Sequence, residues 1–398
     1  MEYAFPAFKP HRQAFAAAAA VLVMASVGTL YAWSIFVEPI EARFSQSRAA
    51  TSLIFSAATV AFTVGMLAAP ALTSTRSPQN VALFSCLLAA AGLALSAAAE
   101  TMWLIVLGFG IVFGLANGFA YSNSLQVVQH AAPRRRGLFT GIAVSSYMLG
   151  TAIGSPLLSA AVRSWGYQAA LLILAAFLVA AGAVAFLLLR QSRVGESIER
   201  TAEGGQAPLA PVGEIALLWL LFFLSSLVGV MTLAHAAPMA ASFRGGERHL
   251  ALGVSLVALG NVAGRFAGGW LSDRLSPRIL LCGAPALSAA ALAVLMAMPR
   301  LDVLLASLCV VGAGYGCIAG CLPAIVSRAY GNHAMASLFG RVFTAWGVAG
   351  LAGPYLAGKL FDGHGDYTTA IVAAAFAAVA AALLGLAYTG GSNARGSN

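Results

Sequence analysis

An apolar segment that ends in a short charged loop decides how this chain folds. Residues 264–274 read GRFAGGWLSDR, in which Arg265 lies inside a long apolar run and Asp273 and Arg274 follow at its end. A helix needs about 20 mostly apolar residues to cross the hydrocarbon core of a bilayer. The run over 250–271 has that length. The sequence therefore predicts a membrane-spanning helix with an arginine inside it.

Apolar runs of similar length recur along the whole chain. We predict the other spans at 14–36, 51–72, 80–99, 102–125, 138–161, 168–189, 215–239, 279–298, 301–325, 336–358 and 367–388. Of the 398 residues, 60% are hydrophobic and only 9% are charged, whereas a soluble domain has about 25% charged residues. This composition excludes a soluble enzyme, a disordered chain and a secreted disulfide scaffold. It predicts an all-α, multi-pass membrane protein with twelve transmembrane helices in contact with the lipid bilayer.

The placement of the charges predicts the orientation. The net charge is +9, but the arginines lie in short clusters between apolar runs, which argues against nucleic acid as a partner. Cytoplasmic loops are enriched in Lys and Arg. If the N-terminus is inside, the inner segments hold more Lys and Arg than the outer loops. Arg48 is then assigned to an outer loop. We expect both termini in the cytoplasm and the chain in the inner (plasma) membrane of a cell.

A polar stretch divides the chain into halves that repeat each other. Residues 191–213 are rich in Gly, Pro and charge, as in a flexible linker, so we predict an N-terminal six-helix bundle over 1–190 and a C-terminal one over 214–398. A fixed offset of 199 residues pairs Gly65 with Gly264, Ser77-Pro78 with Ser276-Pro277, Gly154 with Gly353, and Gly166 with Gly365. Such a parallel repeat is typical of transporters with a central site.

Several of these stretches resemble a known family. The segment 264–274 resembles the loop motif of the Major Facilitator Superfamily, and its first-half copy has Ser74 in place of Asp273. Within this family, the chain most resembles the monocarboxylate transporter and oxalate–formate antiporter branch. Four stretches carry this resemblance: YAWSIF at 31–36, PRRRGLFTG at 133–141, the pair Asn261/Arg265 with its following loop, and GLAGP at 350–354 with DGHGDY at 362–367. The resemblance implies two six-helix bundles related by a pseudo-two-fold axis along the membrane normal. It also implies secondary active transport of a small monocarboxylate, such as lactate or pyruvate, by alternating access, as proton symport or anion exchange.

Arg265 is the first candidate for substrate binding. An arginine at mid-span costs about 2.5–3.5 kcal/mol on insertion scales, and such a charge usually faces a cavity. None of the 13 acidic residues falls at mid-span, so a carboxylate substrate is the natural partner for the guanidinium fork. Asn261 lies one turn earlier on the same face, while Gly260, Gly264 and Gly268 form a stripe that predicts close helix packing. The alternative is a structural arginine paired with another helix.

His235, in span 7, has two interpretations. A histidine titrates near neutral pH, and the resemblance implies a histidine near the substrate, so His235 is a candidate for substrate binding and proton coupling. Alternatively, it is a neutral histidine that is hydrogen-bonded to a helix carbonyl.

Aromatic and amide side chains complete the predicted binding site. Tyr121 and Asn117 have the i/i+4 spacing that places them on one face of span 4. Tyr315 has glycine neighbours that leave room for a ligand, and Tyr147 lies at mid-span. Tyr31 is nearer the outer interface, where an aromatic belt is its alternative role.

The charged loop after span 8 predicts a conformational latch. An acid there can hold the N-terminus of a neighbouring helix and nearby arginines. By analogy with the family's loop motif, we expect Asp273 and Arg274 to contact the start of span 5 near Arg135 and Arg136.

Two other transport functions stay open as alternatives. Oxalate-type dicarboxylate antiporters of the resembled branch carry a second cation in span 11, where this chain has Trp346, and one arginine suits a monoanion better. Arg341, five residues earlier, is expected to extend to the membrane interface. Drug-efflux transporters tend to use an acid in an apolar cavity, which the predicted spans lack.

The rivals from another class are an integral-membrane enzyme and a sensor, and a sensor would normally carry a soluble output domain. The sequence has no HExxH, GxSxG or Cys/His set, and its five cysteines lie in apolar segments. We therefore predict no catalytic residues, no metal site and no cofactor. The expected partners are a small carboxylate, a proton in the symport case, and the bilayer, with the protein acting as a monomer.

Overall fold

A computed structural model of the chain describes residues 10–132, 136–194, 212–243, 249–330 and 332–388. Their regular structure is helical throughout. A helix satisfies its backbone hydrogen bonds within itself, which is what a segment surrounded by lipid requires. The fold thus follows directly from the apolar composition of the predicted spans.

The helices of the first half include one long helix that changes direction at a glycine. They are α1 (Pro10–Gly28), a 3₁₀ helix (Thr29–Ile35), α2 (Val37–Phe44), α3 (Arg48–Thr73), α4 (Pro78–Ala97), α5 (Met102–Ile105), a π-helix (Val106–Phe113), α6 (Gly114–Ala131) and α7 (Arg136–Ser192). Inside α7, Gly166 has φ 81° and ψ 168°, a conformation that favours glycine. The 57 residues of α7 are therefore two helices joined at Gly166, as the predicted spans 5 and 6 require.

The second half has six helices. They are α8 (Val212–Ala241), α9 (Leu250–Ser272), α10 (Pro277–Ala297), α11 (Leu301–Tyr330), α12 (Asn332–His364) and α13 (Thr368–Ala387). Each includes most of one predicted span.

The protein is a multi-pass membrane protein. Within the described ranges, 10 helices are long and apolar enough to cross a membrane, and one of them, Phe139–Ser192, has 54 residues. That helix is long enough for two crossings. The prediction of an all-α membrane protein is confirmed.

Several residues of the predicted repeat have the same structural role in both halves. Ser77 and Ser276 are extended residues that precede α4 and α10, and Pro78 and Pro277 begin those helices. Proline is favoured at the first helical position, where its missing N–H has no helical partner to lose. Gly166 and Gly365 both have positive φ, at 81° and 77°.

By their internal contacts, the described residues form two compact units. The first contains residues 10–30 and the described residues from 57 to 194, and the second contains 31–56 and the described residues from 212 onward. The second unit thus includes a segment that the predicted boundaries place in the N-terminal bundle. The division at 190 and 213 stays a prediction.

Glycine stripes bring α9 and α11 into backbone contact within the second unit. A Cβ atom added at Gly260, Gly264 or Gly268 would lie 2.0–2.3 Å from a carbonyl oxygen of α11. A Cβ at Gly316 or Gly320 would meet the carbonyl oxygens of Asn261 and Arg265 at 2.1 and 2.4 Å. Small residues permit such close approach of helices in membranes. The close packing predicted from the stripe is confirmed, and it fixes the backbone that carries Arg265.

Candidate substrate-binding site

Arg265 is held by Asn261 and by no carboxylate of the described residues. Its Nε donates to Asn261 Oδ1 at 2.6 Å, across one turn of α9, and its side chain is half-buried. Within the described ranges, ion pairs join Arg48 to Glu41, Arg300 to Asp302 and Arg328 to Asp273. The Nη groups of Arg265 are therefore available to an anion.

Asn261 adds a second donor beside the guanidinium. Because a guanidinium only donates hydrogen bonds, the atom of Asn261 that faces it is the amide oxygen. The amide nitrogen Nδ2 is buried and has no hydrogen-bond partner among the described residues. A buried donor without a partner costs about 1–3 kcal/mol. Two kinds of N–H donor in this pair, the Arg265 Nη groups and Asn261 Nδ2, therefore have no carboxylate partner among the described residues.

Tyr315 and Trp346 are joined in the same unit. Trp346 Nε1 donates to the Tyr315 hydroxyl at 2.7 Å, and both side chains are buried. The Tyr315 ring packs against Gly229 of α8, where an added Cβ would lie 2.4 Å from the ring. The indole thus supplies one neutral N–H to the tyrosine.

The first unit brings together three other predicted residues. The Tyr147 hydroxyl donates to Asn117 Oδ1 at 2.8 Å, and Asn117 Nδ2 donates to the Phe113 carbonyl at 3.0 Å. The ring centroids of Tyr121 and Tyr147 are 5.8 Å apart, and Phe62 packs edge-on against both. The helical spacing of Asn117 and Tyr121 indicated their proximity, whereas Tyr147 joins them from α7.

Tyr31 belongs to the second unit, whereas Asn117, Tyr121 and Tyr147 belong to the first. It belongs to the 3₁₀ helix Thr29–Ile35, is buried, and packs against Phe55 with ring centroids 5.9 Å apart. Both residues are in the second unit.

His235 is buried six residues before the end of α8 and has partners on both ring nitrogens. Nε2 lies 2.9 Å from the Pro354 carbonyl oxygen and 3.3 Å from Ser52 Oγ, and Nδ1 lies 3.1 Å from the Tyr367 hydroxyl. A carbonyl oxygen only accepts, so Nε2 carries the proton. Nδ1 then accepts from Tyr367 in a neutral imidazole. This is the carbonyl-bound arrangement of the second interpretation.

The structure also contains a cluster that was not predicted from the sequence. We name it the Arg48 cluster, and it consists of Glu41, Arg48, His235, Asp362 and Tyr367. Arg48 is 8% exposed. Its Nε and Nη2 donate to the two Glu41 oxygens at 2.5 and 2.8 Å, and Nη1 donates to the Tyr367 hydroxyl at 2.6 Å. Arg48 was predicted as a loop charge because it lies at the edge of an apolar run, although DGHGDY at 362–367 does supply two of its neighbours.

Two acids of the Arg48 cluster differ in what they bind. Asp362 accepts the backbone N–H groups of Arg48 and Ala49 at 2.9 and 2.8 Å, and so binds the N-terminus of α3. Glu41, on α2 outside the spans, is partly buried. Burial raises the pKa of Glu41 above its usual value, against the opposing hydrogen bonds and charge of Arg48.

The predicted latch residues have local partners. Asp273 pairs with Arg328 of α11, which also donates to the Ser272 carbonyl. Arg274 stacks on Trp270, with its guanidinium carbon 3.9 Å from the ring centroid. Arg135 and the side chain of Arg136 lie outside the described residues, so the predicted contact of Asp273 with the start of span 5 stays a prediction.

Comparison with known proteins identifies the family. The model of the Major Facilitator Superfamily matches residues 14–354 and 218–397. The chain belongs to the Major Facilitator Superfamily. Members of this superfamily are transporters and bind a small-molecule substrate. The predictions that the chain resembles this family and is not an enzyme are therefore confirmed.

Relatives of this superfamily member include named monocarboxylate transporters. It is 26% identical over 397 residues to monocarboxylate transporter 12 of Homo sapiens, a match that covers 89% of this chain and 76% of the relative. Monocarboxylate transporter 11 of Homo sapiens is 25% identical over 383 residues, with 90% and 78% covered. The uncharacterized MFS-type transporter YhjX of Escherichia coli is 24% identical over 346 residues, with 83% and 84% covered.

A solved structure supports the same fold for this member of the superfamily. The structure of a bacterial homolog of the human lysosomal transporter Spinster, in an inward-facing and unoccupied conformation, matches with a TM-score of 0.67 at 15% identity. The match covers 95% of this chain and 94% of the other. At this identity, the likeness concerns the fold alone.

Proposed function

We propose that the protein is a secondary active transporter that moves a small monocarboxylate, of the lactate or pyruvate type, across the cytoplasmic membrane by alternating access. The observation that carries this proposal is the guanidinium of Arg265, which has an amide neighbour and no carboxylate partner in the described part of the chain. Charge-assisted hydrogen bonds to a carboxylate would neutralise it. The named relatives support the same substrate class.

The number of cations favours a monoanion over a dianion. Trp346 occupies the place of a second cation and donates a neutral N–H to Tyr315. A second carboxylate buried there would lack a positive partner, and an unpaired buried charge is costly.

For coupling, the hydrogen bonds of His235 support anion exchange over symport through this histidine. A protonated imidazole would need a second acceptor, but its Nδ1 faces a hydroxyl that already accepts from Arg48. The Tyr367 hydroxyl would have to turn its proton elsewhere. We therefore propose exchange, with His235 as a neutral part of the Arg48 cluster. The location in the plasma membrane, with both termini in the cytoplasm and one chain as the transporting unit, belongs to the same proposal.

Counterflow in liposomes tests the substrate site. Purified protein is reconstituted with internal unlabelled pyruvate or lactate, and uptake of the labelled anion is measured. Arg265→Gln removes the cation, so we expect the apparent affinity to fall about 10- to 150-fold, as for the loss of one charge-assisted hydrogen bond worth about 1.5–3 kcal/mol. The matched control is Arg278→Gln, an exposed arginine at the start of α10, which should transport normally. Normal counterflow by Arg265→Gln would show that the site is misplaced.

The same liposomes test coupling. Exchange predicts that internal substrate stimulates uptake and that an imposed pH gradient without internal substrate does not. Uptake driven by a pH gradient in the parent and lost in His235→Gln would contradict exchange and support symport.

A further inference from the structure

A basic cavity lies where α1 begins and α7 ends, in the first unit. It has a volume of about 510 Å³ and is lined by His11, Arg12, Phe15, Leu187, Arg190, Gln191 and Arg193. These residues play no part in the proposed carboxylate site. Three of them carry permanent positive charge, because arginine stays protonated in proteins.

The described residues supply no counter-ion to this cavity. Arg12, Arg190 and Arg193 are absent from the ion pairs found within the described ranges. Arginines that line one small volume repel one another unless an anion lies between them. The cavity is therefore suited to an anionic ligand.

The cavity is apolar at one end and basic at the other. Phe15 follows Arg12 by three residues in α1, which leads into the membrane from this end, and Leu187 precedes Arg190 by three residues in α7, which ends here. On both helices, the apolar residue is thus about one turn deeper than the arginine. Leu187 is 54% exposed, so the deep end opens toward the hydrocarbon. A ligand that fits needs a negative head and an apolar tail.

We propose that this cavity binds the head group of an anionic phospholipid, with the phosphate among Arg12, Arg190 and Arg193 and the acyl chains beside Phe15 and Leu187. Guanidinium groups bind phosphate oxygens in bidentate fashion. Basic pockets between transmembrane helices bind anionic head groups at the membrane surface. A free phosphate ion has the same charged chemistry as the head group, but it has no apolar part to contact Phe15 and Leu187. The proposal does not depend on the transported substrate.

Native mass spectrometry of the full-length protein in detergent provides the test. Phosphatidylglycerol is titrated against phosphatidylcholine of the same acyl chains, and glycerol 3-phosphate and inorganic phosphate are titrated in parallel arms. We expect retention of phosphatidylglycerol and little retention of the other three ligands. Equal retention of both lipids, or binding of phosphate as tight as that of phosphatidylglycerol, would overturn the proposal.

Variants locate the site. A basic residue near the membrane surface contributes about 1 kcal/mol to the binding of anionic lipid, so Arg12→Gln and Arg190→Gln should each weaken retention of phosphatidylglycerol about fivefold. The matched control is Arg278→Gln, which removes a charge outside the cavity and should leave retention unchanged. A decrease in the control equal to that in Arg12→Gln would mean that total charge, and not this cavity, selects the lipid.

Removing negative charge near the cavity tests the proposal from the other side, because it should not weaken the binding of an anionic lipid. Glu196 and Glu199 follow Arg193 in the sequence, and the double variant Glu196→Gln/Glu199→Gln removes only negative charge. It should retain phosphatidylglycerol at least as well as the parent. Weaker retention would contradict a site built for an anion.

Discussion

Arg48 and Arg265 belong to the same compact unit and have opposite surroundings. Arg48 is buried, and Glu41, Tyr367 and the Phe361 ring, 4.5 Å from its guanidinium carbon, surround its charge. Arg265 is half-buried and has the Asn261 amide, with no described carboxylate in range. Burying a charge is costly unless the protein supplies a partner. The described residues supply that partner at Arg48 and not at Arg265. This difference is why we propose a structural role for Arg48 and a substrate-binding role for Arg265.

The largest expected effect comes from removing Arg48, the arginine whose charge is paired with Glu41. Arg48→Met leaves the Glu41 carboxylate without its partner, and breaking a buried ion pair in this way costs about 3–5 kcal/mol. We expect a large fall in the thermal unfolding temperature of the purified protein. Glu41→Gln/Arg48→Met, which removes both charges, should recover much of that loss. The control is Glu38→Gln, an exposed acid on the same short helix. A double variant as unstable as Arg48→Met would show that the ion pair does not explain the burial of Arg48.

A second variant disturbs the Arg48 cluster without changing a charge. A Cβ at Gly358 of α12 would lie 2.8 Å from the Ala49 Cα atom, the Arg48 carbonyl oxygen and Ser52 Oγ. Gly358→Ala must therefore push α3 away, and overpacking of this kind costs about 1–3 kcal/mol. Gly363→Ala, in the same helix with no atom within 4 Å of the added Cβ, is the matched control. Equal unfolding temperatures for the two variants would argue against the close approach of α3 and α12.

The smallest expected effect comes from giving Arg265 a carboxylate partner of the kind that Arg48 already has in Glu41. Asn261→Asp places a carboxylate one turn from the guanidinium, where it competes with a substrate anion. The cost should be about 1 kcal/mol, as for a partly exposed ion pair, or about fivefold in apparent substrate affinity at pH 7. Lowering the pH protonates the new carboxylate and should restore binding. Counterflow measured across a range of pH checks this, with Asn261→Ser as the uncharged control. Affinity that is independent of pH in Asn261→Asp would contradict competition at this arginine.

The sequence predicts features that depend on neighbouring residues and misses those that depend on distant ones. Apolar runs located the spans because lipid demands length and hydrophobicity, and the i/i+4 spacing of Asn261 and Arg265 predicted a contact that the structure contains. Asp362 and Arg48, in contrast, are 314 residues apart. No periodicity connects them, and an arginine at the edge of a span looks like a loop charge. Tyr147 and Asn117 are 30 residues apart on different helices. The sequence indicated both as candidates for substrate binding, but it did not predict the hydrogen bond between them.

The glycines with positive φ, Gly166 and Gly365, have a consequence for how the chain is assembled. The two halves of α7 are joined at Gly166 alone, and α12 and α13 are separated by three residues. Helices joined by so short a connection stay close to each other at that corner. We expect the last two crossings of each half to enter the membrane together, so that synthesis of each six-helix set ends with the same paired insertion. A residue with a Cβ atom at either corner would be strained by the positive φ, and we expect it to lower the yield of inserted protein.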